Sequence, residues 1–356
     1  MALRSKGDTR PYTAAVIGCG RVGSLLARDK LRHQPSTHAG IYAAHPRVRL
    51  IAGCDRRASR RAEFACDWGL PAFRVYADHR QMLEEMRPDI VSIATYTDSH
   101  AEITIAAARA GASIILCEKP MARTLAEADR MIEVCLAEGA VLGVHHERRW
   151  SRIFREARRI ISSGEIGEVR TVIGNVLTGA PHPDWHARPE VSGGGPTLHD
   201  GTHLFDAIRY LCGEIAAISG RTERKNPDLL VEDTGYAVMR LANGGIVFVE
   251  CGGRRKYFNF ELDIQCSRGR IQIGNAVLRL WTVGPSPRYE GFTEFSERVF
   301  PVGWKPDDYF PFIVDELMDA YDSSRPSLSD GHEGRAALDA VLQVYSGKGA
   351  DLPSLE

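Results

Sequence analysis

A chain of 356 residues is long for one hydrophobic core and suits two domains. Its 45 Lys and Arg against 46 Asp and Glu leave a net charge of −1, which excludes a strong basic field for nucleic acid. No apolar run approaches the ~20 residues that cross a membrane, and the charged start has no apolar stretch behind it to read as a secretory signal.

In chain order, residues 13–17 form a short apolar strand that ends at Gly18-Cys19-Gly20-Arg21-Val22-Gly23. Gly-x-Gly-x-x-Gly between a strand and an amphipathic run is the dinucleotide fingerprint. Its glycines permit a tight turn and the approach of a pyrophosphate to a helix N-terminus. Residues 48–54 read as a second strand, and Asp55 at its end can accept from adenosine ribose hydroxyls. Gly23 and Asp55 stand 32 residues apart rather than ~20. An insertion around residues 28–37 is the expected cause. Asp55 also reads as the cap of a helix over 56–68, a role compatible with the first. Asp55 should repel a 2′-phosphate, so NAD is the expected cofactor. NADP is the alternative, if Arg56 and Arg57 pair with its phosphate.

The alternation continues with a weak strand over 71–75, a helix over 78–86 with Asp78 as cap, and a buried strand over 89–95. A helix over 98–110 leads to a strand over 113–117, which ends at Glu118-Lys119-Pro120. Thr124 and Glu127 have capping-box spacing at the start of the next helix, and 141–144 closes the series as a strand. Six rounds of strand and helix predict an α/β, Rossmann-type doubly wound parallel sheet over residues 1–146. Such sheets bind ligands at the C-terminal strand ends, where Gly18, Asp55, Thr95 and Glu118-Lys119 fall. The cofactor-binding candidates are Gly18, Gly20, Arg21, Val22, Gly23, Asp55, Arg56, Thr95, His100, Glu118 and Lys119.

After His145 the pattern changes, and residues 147–356 predict an α+β substrate-binding and oligomerisation domain. An amphipathic helix (151–163) precedes strands over 169–177, 215–224, 234–241, 246–251, 258–266, 270–273 and 277–282. Turns such as Asn243-Gly244 join many of them as hairpins, giving a large, mostly antiparallel, open-faced sheet with helices on one face. Residues 284–308 are expected as a long loop, with closing helices over 309–321 and 331–345. Alternation such as Tyr236–Leu241 leaves apolar surface, so a homodimer or homotetramer through that face is expected. The eight scattered cysteines show no Cys-x-x-Cys spacing, which argues against metal and disulfides and for a reduced, cytoplasmic compartment.

Chemistry converges on Gly193-Gly194-Gly195-Pro196-Thr197-Leu198-His199-Asp200-Gly201-Thr202-His203. On a helix, His199 and His203 are four apart and Asp200 and His203 three apart, so both pairs share a face. Two roles compete for Asp200, proton transfer and helix capping. Gly201 is a poor helix-interior residue. A helix that starts there makes Asp200 the cap and leaves proton transfer to His199. Trp185, His186 and Arg149 are the candidate substrate-pocket groups.

Gly18-x-Gly20-x-x-Gly23, Asp55, Glu118-Lys119-Pro120, Arg148-Arg149-Trp150, Gly164-Glu165-Ile166-Gly167 and the triple glycine with His203 form a pattern. Together they resemble the Gfo/Idh/MocA oxidoreductase family of sugar, cyclitol and related dehydrogenases. The resemblance runs from about residue 13 to 212. It implies NAD(P)-dependent interconversion of a secondary alcohol and a ketone on a sugar, polyol or cyclitol, with Lys119 and His203 in the family's catalytic positions. An imidazole titrates near neutrality and suits His203 as base, while Lys119 can donate to the substrate oxygen. His199 or Asp200 would orient and recharge His203. The chain departs from the pattern at three places. His199 stands where the family commonly has Asp, Tyr96 where Pro often follows the strand-end Thr, and His145 or His146 where Asn often precedes the Arg pair. Two rival readings share the fold. One is a redox-neutral enzyme that keeps NAD bound while cleaving a glycoside or eliminating a group. The other is a non-catalytic NAD-binding regulator, against which Lys119 and His203 both argue.

Overall fold

The computed structural model describes residues 4–179, 187–303 and 309–347. The chain divides into two compact units, Met1–Ser151 with Lys305–Arg335 and Arg152–Trp304 with Ala336–Glu356.

The first unit runs β1 (Tyr12–Ile17), α1 (His38–Ala44), β2 (Val48–Cys54), α2 (Ala58–Trp68), β3 (Val75–Tyr76), α3 (His79–Met86) and β4 (Ile90–Ile93). It continues with α4 (His100–Arg109), β5 (Ile114–Cys117), α5 (Leu125–Ala137) and β6 (Val141–Val144). The strands form a parallel sheet in the order β3-β2-β1-β4-β5-β6. Every residue of β1, β4 and β5 is buried, as a parallel sheet covered on both faces requires. The expected weak strand over 71–75 is mostly a single 3-10 turn, Ala72–Arg74, and only Val75 and Tyr76 pair with β2. Asp78 caps α3 by accepting from Arg80 and Gln81 N–H, and Thr124 with Glu127 forms the capping box of α5.

Register decides which side chains share the ligand-binding edge. Ile17 pairs with Cys54 and Ile93, Ile93 with Cys117, and Cys117 with Val144. The next residues along that row are Gly18, Asp55, Ala94, Glu118 and His145. The strand order reverses between β1 and β4, the switch point at which such sheets bind ligands.

The insertion is visible in the hydrogen bonds. His38 N–H donates to the Val22 carbonyl and Ala39 N–H to the Gly23 carbonyl, each at 3.0 Å. These bonds carry a helix forward, yet each spans sixteen residues where a helix spans four. Twelve residues are therefore inserted, and removing them from the 32 between Gly23 and Asp55 returns the ordinary ~20. Thr37 closes the insertion by accepting from Gly40 N–H at the start of α1.

The second unit runs α6 (Arg152–Ser162), β7 (Val169–Leu177), α7 (Pro189–Ser192), α8 (Pro196–His199), α9 (Gly201–Cys212), β8 (Ile215–Glu223) and β9 (Thr234–Leu241). Five more strands follow: β10 (Ile246–Gly252), β11 (Asn259–Cys266), β12 (Gly269–Gly274), β13 (Leu278–Pro285) and β14 (Thr293–Arg298). Their order is β14-β13-β12-β11-β7-β10-β9-β8, antiparallel throughout except between β7 and β10. One face takes the helices. A Cβ on Gly174 of β7 would stand 3.0 Å from Leu204 of α9, and Phe154 of α6 meets Phe260 of β11. On the other face Ile173 and Phe248, register partners on β7 and β10, are exposed with Tyr236 of β9. The loop expected over 284–308 contains β14. As an exposed edge strand it buries almost nothing, so its residues show no apolar alternation.

The chain then supplies α10 (Phe310–Asp322) and α11 (Gly331–Ser346). Residues 305–335, expected with the second domain, are counted with the first unit. The reason is burial: Phe310, Ile313, Val314, Leu317 and Met318 of α10 share one apolar cluster with Tyr12, Val16, Ile90, Ile114 and Leu116. Each such side chain contributes about 1.5–3 kcal/mol.

Candidate functional site

The turn after β1 has the shape a dinucleotide needs. Gly18 sits at φ +97°, and a Cβ there would stand 2.4 Å from the Ala94 carbonyl oxygen. A Cβ on Gly23 would stand 1.9 Å from the Gly18 carbonyl oxygen, so both positions admit only glycine. At Gly20 a Cβ would meet nothing within 4 Å, which leaves the side a pyrophosphate approaches open. Arg21 is exposed and Val22 half-buried beside it. Asp55 binds the turn to the end of β2: Oδ2 accepts from Cys19 N–H at 3.0 Å and Oδ1 from Arg57 N–H at 2.8 Å. It does not cap α2, which begins only at Ala58 with Arg57 in the cap position. Arg56 and Arg57 are exposed, and the Arg57 guanidinium donates to Tyr96 Oη at 3.3 Å.

Glu118-Lys119-Pro120 is braced from several sides. Glu118 is buried, and its Oε1 accepts from His145 Nδ1–H at 2.5 Å and from His38 Nε2–H at 2.9 Å. Its Oε2 accepts from Lys119 N–H at 3.3 Å. Burial alone would raise the Glu118 carboxyl, but the His145 and His38 rings hold it well below its ordinary value. Burial works against a charge on His145, yet the Glu118 carboxylate outweighs it and holds that ring above its ordinary value. Burial leaves His38 below its own. His100, lowered by burial, lies between the Pro120 carbonyl at 3.0 Å and the Thr95 carbonyl at 3.2 Å. It ties the ends of β4 and β5 together. Lys119 itself is half-buried.

In the second unit the glycine stretch is held by a residue far along the chain. Glu232 Oε2 accepts from Gly195 N–H at 2.8 Å, and Oε1 accepts from Thr197 N–H at 3.0 Å and Tyr345 Oη–H at 2.5 Å. A Cβ on Gly195 would stand 2.1 Å from the Glu232 carbonyl oxygen, and one on Gly194 2.4 Å from Tyr345 Oη. These two positions exist to let Glu232 and Tyr345 close on the backbone. Burial pushes the Glu232 carboxyl above its ordinary value, with the Tyr345 and amide bonds pulling the other way. Gly194, Glu232 and Tyr345 also border a cavity of about 320 Å³.

α9 begins at Gly201, as the poor helix propensity of glycine suggests, and a Cβ there would stand 3.0 Å from Cys251 Sγ of β10. The expected cap, however, is not made. Asp200 has helix-like dihedrals, φ −99° and ψ −38°, and its side chain makes no capping bond. A capping side chain needs an extended residue beneath it. Here α8 runs into α9, with Asp200 N–H donating to the Pro196 carbonyl. His199 is buried and donates Nε2–H to the Ser192 carbonyl at 3.1 Å, so its ring steadies the turn before α8. His203 is half-buried, in the first turn of α9.

Arg149, expected at a pocket wall, is buried in the first unit. Its guanidinium donates to the Leu328 carbonyl at 3.0 Å and to Glu333 at 2.9 Å, so these donors serve the unit's own packing. Trp185 and His186 lie outside the described residues. Sequence reasoning missed His38, Glu232 and Tyr345. An acid between Val231 and Asp233, just ahead of a strand, was the one signal that could have pointed to Glu232.

Known proteins resemble the chain in sequence and in fold. The family model described as "Oxidoreductase family, NAD-binding Rossmann fold" matches residues 12–146, and the GFO/IDH/MocA C-terminal domain matches residues 154–272. The chain is 28% identical over 266 residues to a D-glucoside 3-dehydrogenase of Escherichia coli, covering 70% of this chain and 72% of that one. It is 30% identical over 346 residues to an inositol 2-dehydrogenase of Salmonella paratyphi B, covering 93% of both. A levoglucosan dehydrogenase solved in complex with NADH has the same fold, with a TM-score of 0.80 at 21% identity over 95% of this chain and 97% of that one. With both family models and a full-length relative matched, the chain belongs to the Gfo/Idh/MocA family of NAD-binding oxidoreductases.

Proposed function

We propose that the protein is an NAD-dependent dehydrogenase that oxidises a secondary hydroxyl of a sugar, polyol or cyclitol to a ketone. The observation that carries this reading is the bracing of Glu118-Lys119-Pro120 on the strand-end row shared with the glycine turn. The relatives named for glucoside and inositol support the substrate class. Bound NAD supplies the hydride acceptor; Gly18, Gly20, Gly23 and Asp55 would hold it. Lys119 donates to the substrate oxygen and steadies its developing charge. His203 takes the hydroxyl proton. Asp200, three residues before it and not engaged as a cap, orients His203, while His199 steadies the turn. Asp55 disfavours a 2′-phosphate, so NAD is preferred to NADP.

The test is a screen of polyols, inositols, aldoses and glycosides, read by NADH absorbance beside product analysis. NADH accumulation is expected, and product without net NADH would establish the redox-neutral chemistry instead. Lys119→Ala should lose nearly all turnover while still binding NAD; near-wild-type kcat would remove Lys119 from the reaction.

The same reading extends to assembly and compartment. Ile173, Tyr236 and Phe248 are 40–46% exposed on one face of three adjacent strands, apolar surface suited to a second copy of the chain. A monomer mass by light scattering at micromolar concentration would refute this. Among the described residues no helix is long and apolar enough to cross a membrane. Eight free cysteines support a reducing, cytoplasmic setting. A disulfide found by mass mapping of the native protein would count against it.

A further inference from the structure

Five side chains run as one hydrogen-bonded chain through the first unit. Tyr42 Oη meets Ser92 Oγ at 2.6 Å, Ser92 Oγ meets His38 Nδ1 at 2.8 Å, and His38 and His145 both donate to Glu118 Oε1. His38, Ser92 and His145 are at most 4% exposed, and Tyr42 1%. Neither end leads out. Beyond Tyr42 no further hydroxyl contact continues the chain, and His145 Nε2 has no hydrogen-bond partner among the described residues. The His145 ring packs among Trp150, Tyr309 and Phe310, with ring centroids 5.3–6.4 Å away. A chain whose two ends stop in buried groups suits holding rather than proton relay.

The donor set of two imidazoles and a carboxylate, all within 4.8 Å, is also that of a metal site. Ligand atoms 2.0–2.1 Å from a tetrahedral zinc stand about 3.3 Å apart. The observed 2.5 and 2.9 Å are hydrogen-bond distances, and both rings address the same oxygen.

We propose that His38 and His145 are positioning residues for Lys119: they hold one oxygen of Glu118 as a carboxylate, and its other oxygen fixes the Lys119 backbone N–H. The assignment rests on Lys119 acting in catalysis; the clamp itself does not. His145 is the charged partner, since the shorter bond to Glu118 is its own and aromatic rings pack around it. Glu147 adds to its charge and Lys119 opposes it, while His38 faces only Glu118, His145 and the Ser92 hydroxyl. The ion pair is therefore lost as pH rises through the elevated value of His145.

Paired variants of the NAD-loaded enzyme test this. Asparagine places an N–H where Nδ1–H of His145 stands, and glutamine does the same for Nε2–H of His38. His145→Ala and His38→Ala should each lower kcat about ten- to a hundredfold with Kd for NAD changed less than about twofold. His38→Gln should recover most of kcat. His145→Asn should recover part of it and lose the alkaline fall of the kcat–pH profile. Equal loss in the Ala and amide variants, or an unchanged alkaline limb in His145→Asn, would overturn the proposal. Imidazole nitrogen NMR of the wild type and of Lys119→Ala should show His145 doubly protonated at pH 6 in both. A neutral His145 refutes the clamp even if Lys119 proves catalytic, whereas an active Lys119→Ala with a charged His145 refutes only the catalytic reading. Stoichiometric zinc bound by the wild type and lost in His38→Gln would make the trio a metal site and overturn the assignment.

Discussion

Two glutamates, one in each unit, are equally buried at 7% exposure and shift in opposite directions. Glu118 is met by two imidazoles and lies well below its ordinary value; Glu232 is met by two amides and a phenol and lies above its own. Burial raises both, so the donors decide. An imidazole can bring a full positive charge to the carboxylate, whereas an amide or a phenol brings only a dipole. Each glutamate also grips backbone beside a proposed reacting group, Lys119 N–H in one case and the turn leading to His203 in the other. The first grip is a fixed charge. The second is a latch that titrates.

The comparison breaks most visibly at Glu118. Glu118→Gln removes the carboxylate that keeps the buried His145 ring charged, and breaking that pair should cost about 3–5 kcal/mol in urea unfolding near pH 6. A loss below about 1 kcal/mol, the scale of one ordinary hydrogen bond, would mean that no charge is paired there. The sign with pH follows: stability from Glu118 is present above the ordinary carboxylate range and is lost as pH falls through its lowered value.

Glu232→Gln should cost less, about 1–3 kcal/mol. Both glutamate oxygens accept from N–H groups, and the new amide turns a donor toward one of them. Because the Glu232 value is raised, the wild type loses stability as pH climbs from the ordinary carboxylate value through the raised one, and the variant should not. A stability–pH curve parallel to wild type across that window would sink the latch reading. The smallest effect belongs to Tyr345→Phe, about 1 kcal/mol from one lost hydrogen bond. The loss should grow toward alkaline pH, where Glu232 is ionised and most needs the hydroxyl; a pH-independent loss would show that the bond is not made to the charged form.

Local features were legible in the sequence and distant ones were not. β6 was expected over its observed residues, Val141–Val144, because a strand buried on both faces must be an unbroken apolar run. The Thr124–Glu127 box and the start of α9 at Gly201 follow from short-range backbone chemistry in the same way. β14 escaped because an edge strand of Thr-Glu-Phe-Ser-Glu-Arg carries no pattern that burial could impose. The capping role expected of Asp200 failed because α8 and α9 are nearly continuous, a fact about two elements rather than one. The glutamate partners were out of reach for a different reason. Gly195 and Tyr345 lie 37 and 113 positions from Glu232, and His38 lies 80 from Glu118, so only the folded chain brings them together.

The bonds from His38 and Ala39 back to Val22 and Gly23 make residues 26–37 a parenthesis in the chain: a helix pauses, the backbone wanders, and the helix resumes in register. Length at that point is consequently a free variable. Closing a loop there costs only about 0.6 kcal/mol more for each doubling of its residues, and neither β1 nor α1 need move to accommodate the change. What the parenthesis cannot alter is its last word, since Thr37 caps the resumed helix and His38 reaches Glu118. The molecule thus carries a graft point whose upstream side is the phosphate-binding turn and whose downstream side is a buried anchor, so that segments of quite different size and chemistry could be exchanged beside the glycine turn without disturbing either.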